Sequence, residues 1–231
     1  MNILAIETTS VYPSVAVLNE DNVIMESEST EKLNHHKMLI PLIDQTLKKM
    51  NLTMEEITGI SVSQGPGSFT GIRIGISTAR ALAQALHIKI ATISSLEAMS
   101  YFYHQQEGIF CPMLDARKDQ VYAAIYQHEN GKQKEIFPQG VYPIDEILDF
   151  TEKKPVAYFG DGMVLFQEKI QARSELAIFL KEEKIHTAAS IAVLGRQKFD
   201  EGKGVEYSLA EPAYFRKSEA ERNLENRVIK R

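Results

Sequence analysis

Short apolar runs alternate with helix-period stretches along this chain, and the order in which they do so occurs twice. Runs at 2–8, 13–19 and 23–29 read as strands, the last two joined by the turn Asn19-Glu20-Asp21-Asn22. Residues 35–50 place Leu39, Leu42, Ile43, Thr46, Leu47 and Met50 on one side of a helix. Pro41 removes one helical N–H, so this helix either kinks there or starts just before it. Thr53 and Glu56 have the spacing of a capping box that opens a short turn. A strand at 59–63 is stopped by Gly65-Pro66-Gly67, after which Ser68 offers an N-cap hydroxyl to a helix over 68–86. A strand at 88–93 and a helix capped by Ser94 and Glu97, running to about 104, complete the first series.

The second series has strands at 109–115, 119–127 and 132–138, a helix at 143–152 and a strand at 156–159. Gly160-Asp161-Gly162 then turns into a helix at 163–171, a strand follows at 176–180, and Thr187 caps a helix over 188–201 that Gly202 ends. Each half is therefore three meander strands followed by right-handed crossovers, in the order βββαβαβα. This predicts an α/β protein of two lobes, each a mixed sheet flanked by helices, with a cleft between them. The expected division is 1–105 and 106–231, the second including a polar tail from 204 in which only 210–215 looks anchored.

Corresponding positions of the two halves carry the candidate chemistry. The first strand of each half ends in an acid, Glu7 and Asp115, and the fourth in a glycine turn, Gly65-Pro66-Gly67 and Gly160-Asp161-Gly162. Glycine turns at helix N-termini can hold phosphate because their N–H groups are free, and two acids facing across a cleft could hold Mg²⁺. Glu7, Asp115, Gly160 and Gly162 are the cleft candidates. Within 68–86, Gly71, Gly75, Ala79 and Ala83 recur every four residues and form one small-residue ridge. Glycine inside a helix costs about 1 kcal/mol against alanine, so something must approach this backbone closely. Two readings stand: packing against the chain's own sheet, or a helix–helix contact with another subunit.

Composition narrows the class. The 231 residues are 44% hydrophobic and 25% charged, ordinary for a globular protein, with a net charge of −5 that argues against a free-standing nucleic-acid binder. Met1-Asn2 runs straight into Ile3-Leu4-Ala5-Ile6 with no basic start and no cleavage site, so no export signal is expected, and no stretch approaches about 20 apolar residues. The single cysteine, Cys111, excludes an internal disulfide, fits a reducing cytoplasm and reads as a buried small hydrophobe.

The duplicated order, with acids in those places, resembles the actin, sugar-kinase and heat-shock-protein ATPase fold. Three local sequences are more specific: Ile6-Glu7-Thr8-Thr9-Ser10, the run from Gln64 through Gly65-Pro66-Gly67-Ser68-Phe69-Thr70-Gly71-Ile72-Arg73-Ile74 to Gly75, and Asp115-Ala116-Arg117-Lys118-Asp119-Gln120-Val121-Tyr122. Together with Pro212-Ala213-Tyr214-Phe215-Arg216, they resemble the bacterial TsaB family, also called YeaZ. The resemblance implies a non-catalytic subunit of the machinery that makes threonylcarbamoyladenosine at position 37 of tRNAs. It implies a catalytic partner, TsaD, and an ATPase, TsaE, that joins the complex. It also implies pairing with TsaD through the two long helices at about 35–50 and 68–86. The expected contact residues are Leu39, Leu42, Ile43, Leu47, Gly71, Gly75, Ala79 and Ala83, with the same face forming a homodimer when the partner is absent.

The residues agree with a non-catalytic role. The catalytic paralogue binds metal through histidines one helical turn apart, whereas His35, His36, His87, His104, His128 and His186 include no pair at i, i+4. Active members of the superfamily place glycine right after the acid. Here Thr8-Thr9-Ser10 and then bulky Val11-Tyr12-Pro13 follow Glu7, and Ala116-Arg117-Lys118 follow Asp115, which should crowd a phosphate. Gly65-Pro66-Gly67-Ser68 lacks the Gly-x-Ser-x-Gly elbow of a serine hydrolase, so Ser68 reads as an N-cap. Tyr101, Phe102, Tyr103 and His104 read as core packing at a helix end, with RNA stacking as the alternative. The expectations are no metal, weak or absent ATP or ADP binding, tRNA contact only through the complex, no membrane association and a cytoplasmic location. The alternative function is an ATP-dependent carbamoyltransferase or small-molecule kinase in its own right.

Overall fold

The computed structural model describes residues 1–31, 35–181 and 187–215. The expectations for His186 and for the tail from Arg216 onward lie outside the described residues. The first series comprises β1 (Ile3–Glu7), β2 (Ser14–Leu18), β3 (Ile24–Glu28), α1 (His35–Lys49), β4 (Gly59–Gly65), α2 (Phe69–Leu86), β5 (Ile90–Ser94) and α3 (Ser95–Tyr101). The second comprises β6 (Gly108–Arg117), β7 (Gln120–Glu129), β8 (Lys132–Pro143), α4 (Ile144–Thr151), β9 (Val156–Phe159), α5 (Asp161–Arg173), β10 (Ala177–Phe179) and α6 (Ala188–Asp200). The two sheets have orders β3-β2-β1-β4-β5 and β10-β9-β6-β7-β8. Renumbered within its half, the second order is the first read backwards, so the architecture is duplicated as the element order predicts. In both, the first strand lies antiparallel to the second and parallel to the fourth.

The strand period of two sorts side chains onto opposite faces. Leu4, Ile6, Val15, Val17, Ile60 and Val62 form one cluster with α1 and α2. Ile3, Ala5, Ala16, Leu18 and Ile93 form another with α6. The anticipated caps are in place: Ser68 Oγ accepts from the Gly71 N–H at 3.2 Å, Ser94 Oγ from that of Glu97 at 3.5 Å, and Thr187 Oγ1 from that of Ser190 at 3.2 Å. Helix α1 runs through Pro41, which is exposed, so the missing N–H falls on the solvent side. Strand β8 runs five residues past the expected 138, through Pro138. It tolerates that proline because it is an edge strand, and its register with β7 shifts between Ala123 and Ile125.

The closing helices do not stay wholly with their own halves. Helix α6 packs on β1 and β2 of the first sheet, while α3 lies between the two sheets, against β4 and β5 of the first and β6 and β7 of the second. Glu26 on β3 seats α6. Its Oε1 accepts from the N–H groups of Ala188 at 2.7 Å and Ala189 at 3.3 Å, the free donors of a helix start. Burial raises the Glu26 carboxyl above the ordinary range, partly offset by these two N–H groups. The segment after α6 also returns to the first lobe. Ile90 and Val205 exchange backbone hydrogen bonds at 2.9 and 2.8 Å, Ala210 is fully buried, and the Ala213 N–H donates to Gln64 O at 2.9 Å.

Candidate functional site

The opening hairpin of the first lobe folds down onto the start of α2. The Ser68 N–H donates to Thr9 O at 2.8 Å, and Thr8 Oγ1 donates to Gly71 O at 2.8 Å. A Cβ added at Gly71 would collide with Thr8 O, one at Gly75 with Thr8 Oγ1, and one at Gly67 would lie 2.6 Å from Thr9 O. The ridge of small residues therefore makes room for the chain's own Thr8–Thr9 segment. Gly71, Gly75, Ala79 and Ala83 are buried in the lobe, as are Leu39, Leu42, Ile43 and Leu47, each at most 6% exposed. The expectation that these eight side chains form a partner contact is corrected: they are core, because their faces of α1 and α2 cover the sheet.

Glu7 is 1% exposed and turned onto its own loop. Its Oε1 accepts from the Thr9 N–H, from Thr9 Oγ1 at 2.6 Å and from the Ser10 N–H at 3.2 Å. Since the Thr9 hydroxyl donates to Glu7, it accepts from Ser95 Oγ at 3.0 Å, and Ser95 accepts in turn from Ser63 Oγ at 2.8 Å. This buried chain of hydroxyls ties β4 and the first residue of α3 to the carboxylate. Sequence reasoning took Thr8 and Thr9 only as residues that crowd the position after Glu7 and passed over Ser95; the signal for the network is the clustering of hydroxyl residues at the ends of β1, β4 and β5.

The second lobe closes the corresponding place by other contacts. A Cβ at Gly160 would strike Met113 O, and one at Gly162 would lie 2.9 Å from the Leu114 carbonyl carbon, so this turn lies directly on β6. Asp161 Oδ1 accepts from the Asp115 N–H at 3.0 Å. Asp115 itself accepts from the Arg117 N–H at 2.7 Å and pairs with the Arg117 guanidinium at 3.0 Å. Arg117, Lys118 and Asp119 all take left-handed conformations, with φ of 64°, 54° and 56°. Val11 is 46% exposed, Arg117 turns back to Asp115, and the closest approaches to the two glycine turns come from backbone and from Thr9. A surface depression of about 550 Å³ lies beside this loop, lined by Lys118, Gln120, Pro143, Phe166 and Lys169, and includes neither Glu7 nor Asp115.

The remaining candidates are structural. Among the described residues, no three His, Cys, Asp or Glu side chains are grouped to hold a metal ion. His128 is buried, donates from Nδ1 to Tyr103 O at 3.2 Å and accepts at Nε2 from Ser100 Oγ at 2.8 Å, and burial holds its pKa below the ordinary value. His36 is exposed, His87 closes α2 in a left-handed conformation, and His104 stacks on Tyr101. Tyr103 is 5% exposed and packs on Phe110 and Phe159, while Phe102 remains 40% exposed. Cys111 is fully buried, and burial drives its thiol pKa well up. No helix among the described residues is long and apolar enough to cross a membrane.

The outward side of α2 carries a second ridge that the sequence reading missed. Arg73, Ser77, Ala81 and Ala85, again four residues apart, are all exposed. At its head, Arg73 stacks over Phe69 and donates from Nε to Tyr214 Oη at 3.0 Å.

Comparison with known proteins agrees with this geometry. A family model described as TsaD, tRNA N6-adenosine threonylcarbamoyltransferase, matches residues 23–224. The tRNA threonylcarbamoyladenosine biosynthesis protein TsaB of Bacillus subtilis (strain 168) is 32% identical over 225 residues, 96% of each chain. That of Escherichia coli (strain K12) is 28% identical over 229 residues, 97% of this chain and 98% of the other. Among solved structures, YeaZ from Pseudomonas aeruginosa superposes with a TM-score of 0.78 at 26% identity, over 92% of this chain and 99% of that one. Fold, full-length similarity and the glycine-rich segment at the start of α2 place this chain in the TsaB (YeaZ) family, within the wider group that the TsaD model describes.

Proposed function

We propose that this chain is the non-catalytic subunit that binds and supports a TsaD-like transferase in threonylcarbamoyladenosine modification of tRNA. The observation that carries the reading is the closure of both phosphate positions by the chain's own backbone: Thr8–Thr9 against Gly67 and Gly71, and Met113–Leu114 against Gly160 and Gly162. Glu7 and Asp115 are each committed to their own loop, and both glycine turns lie hard against backbone, which leaves little room for a nucleotide phosphate. ATP and ADP binding by this subunit is therefore weak or absent. The partner surface is the outward side of α1 and α2, including Ile40, which is 56% exposed, and Ser77, Ala81 and Ala85. In the partner's absence the same surface pairs two copies about a twofold axis. A TsaE-like ATPase joins the assembly, tRNA is engaged through the complex, and the work is cytoplasmic.

The test is co-purification with the TsaD-like protein of the same cell, followed by a modification assay with and without this chain. Modification should require it. Ala81→Arg, outward and away from the core, should abolish capture of the partner while leaving the melting temperature unchanged. Calorimetry of the isolated chain with ATP should give no saturable heat. A low-micromolar dissociation constant, about −8 kcal/mol, would overturn the non-catalytic reading.

A further inference from the structure

We infer that Arg73 is a preorganised anchor for a carboxylate of the TsaD-like partner, held in place by Phe69 and by Tyr214 from the C-terminal strap. The inference rests on the reading of the α2 outer side given above. Arg73 Cζ lies 4.1 Å from the Phe69 ring centroid and 6.0 Å from that of Tyr214, and the two rings stack at 5.1 Å. The Tyr214 Oη bond occupies Nε, and the terminal NH1 and NH2 groups make no hydrogen bond to another described residue although Arg73 is exposed. Among the described residues no carboxylate forms an ion pair with Arg73, although it is exposed. Most exposed arginines lose rotamer freedom when they bind, whereas this one is already fixed, so less of the binding free energy is lost to ordering.

Charge indicates what should sit there. Helix α2 has two arginines, Arg73 and Arg80, and no acidic residue over its 18 positions. A guanidinium with its terminal edge free matches a carboxylate in the paired geometry that lysine cannot offer. Arg73 also heads the outward ridge of Ser77, Ala81 and Ala85, so an acid reaching it belongs to whatever lies along that ridge. The strap makes the arrangement depend on the far end of the chain, because Tyr214 is 45% exposed yet placed by the buried Ala210 and the Ala213–Gln64 bond.

The experiment measures the affinity of the full chain for the purified TsaD-like partner, beside thermal melting, for Arg73→Ala, Arg73→Lys, Tyr214→Phe and Ala81→Arg. Arg73→Ala should weaken binding about tenfold or more, as hot-spot arginines do, and flatten its salt dependence. Arg73→Lys should recover little of this. Tyr214→Phe, which keeps the stack and loses the Nε bond, should weaken binding by a smaller factor. Melting temperatures should stay at the wild-type value. If Arg73→Ala and Arg73→Lys bind as wild type while Ala81→Arg does not, the partner reading stands and the anchor is wrong. If Ala81→Arg also binds as wild type, the partner reading itself fails. A melting temperature lowered by Arg73→Ala with unchanged affinity would make the residue a fastening for the strap alone, and would also overturn the inference.

Discussion

The two lobes share one strand order and end their opening strands in an acid, yet they treat that acid in opposite ways. In the first, Glu7 is sealed at 1% exposure under three donors from its own loop, linked through Thr9 and Ser95 to Ser63. In the second, the Asp115 side chain keeps 19% exposure and answers to Arg117, itself 83% exposed. The glycines agree where the acids differ, since both turns lie hard against backbone. A duplicated framework thus closes the same position twice, once with a buried hydroxyl network and once with a surface ion pair. What the two halves keep in common is close backbone packing, and the polar chemistry laid over it has diverged.

The largest effect should come from disturbing that common packing. Gly71→Val drives a branched side chain into Thr8 and should cost about 3 kcal/mol, the upper end for overpacking. At roughly 2–4 °C per kcal/mol for a chain of this size, the melting midpoint should fall by about 6–12 °C. A variant that melts like wild type would mean that the hairpin does not rest on α2. Glu7→Ala comes next. It strands the buried Thr9 N–H and hydroxyl and the half-buried Ser10 N–H, a loss of about 1–3 kcal/mol in denaturant titration, and Glu7→Gln, which can still accept, should lose less.

The third prediction concerns the seat of α3 on the second sheet. Burial lowers the His128 pKa, so the folded protein keeps this ring neutral while the unfolded chain takes up a proton near 6.5. Its contribution is complete above that value and shrinks as pH falls below it. Burial raises Glu26 and Glu97 above 4.5, and these carboxyls act in the other direction, adding stability as pH falls toward that value. The comparison must therefore be made against His128→Gln: the melting advantage of wild type at pH about 7.5 should narrow at about 5.5. An advantage independent of pH would mean the ring is not neutral in the fold. Smallest of all, Asp115→Ala should change stability by about 1 kcal/mol, since its partner Arg117 is exposed and solvent screens the pair. A loss as large as that of Glu7→Ala would erase the contrast between the lobes.

Local signals made most of the framework legible. Apolar runs placed the ten strands of the described residues, and Ser68, Ser94 and Thr187 announced their helices, because capping depends on residues within one turn of each other. The crossing of α6 to the first sheet left no such mark. The sheet it covers is decided by partners such as Glu26, far away in sequence. The ridge on α2 shows the same limit. Spacing of four puts Gly71, Gly75, Ala79 and Ala83 on one side, and equally Arg73, Ser77, Ala81 and Ala85 on another, but periodicity does not say which side meets the sheet. The acids at positions 7 and 115 were visible as corresponding residues. Their opposite surroundings were not, since both depend on how a hairpin bends back.

The return of α6 to the first sheet has a consequence for how the protein is made. Ile3, Ala5, Ala16, Leu18 and Ile93 await a cover supplied by residues 188–200. At roughly 5–20 residues per second, a ribosome takes about 10–40 s to travel from the end of β2 to the end of α6. Until α6 arrives, the β1–β2 part of that side stays uncovered, an apolar surface of the kind that chaperones hold and that nascent chains share by aggregating. The first lobe emerges early but is finished late. A stop codon placed between the lobes would accordingly yield neither a stable half nor a binding module, but a client of the cell's quality control.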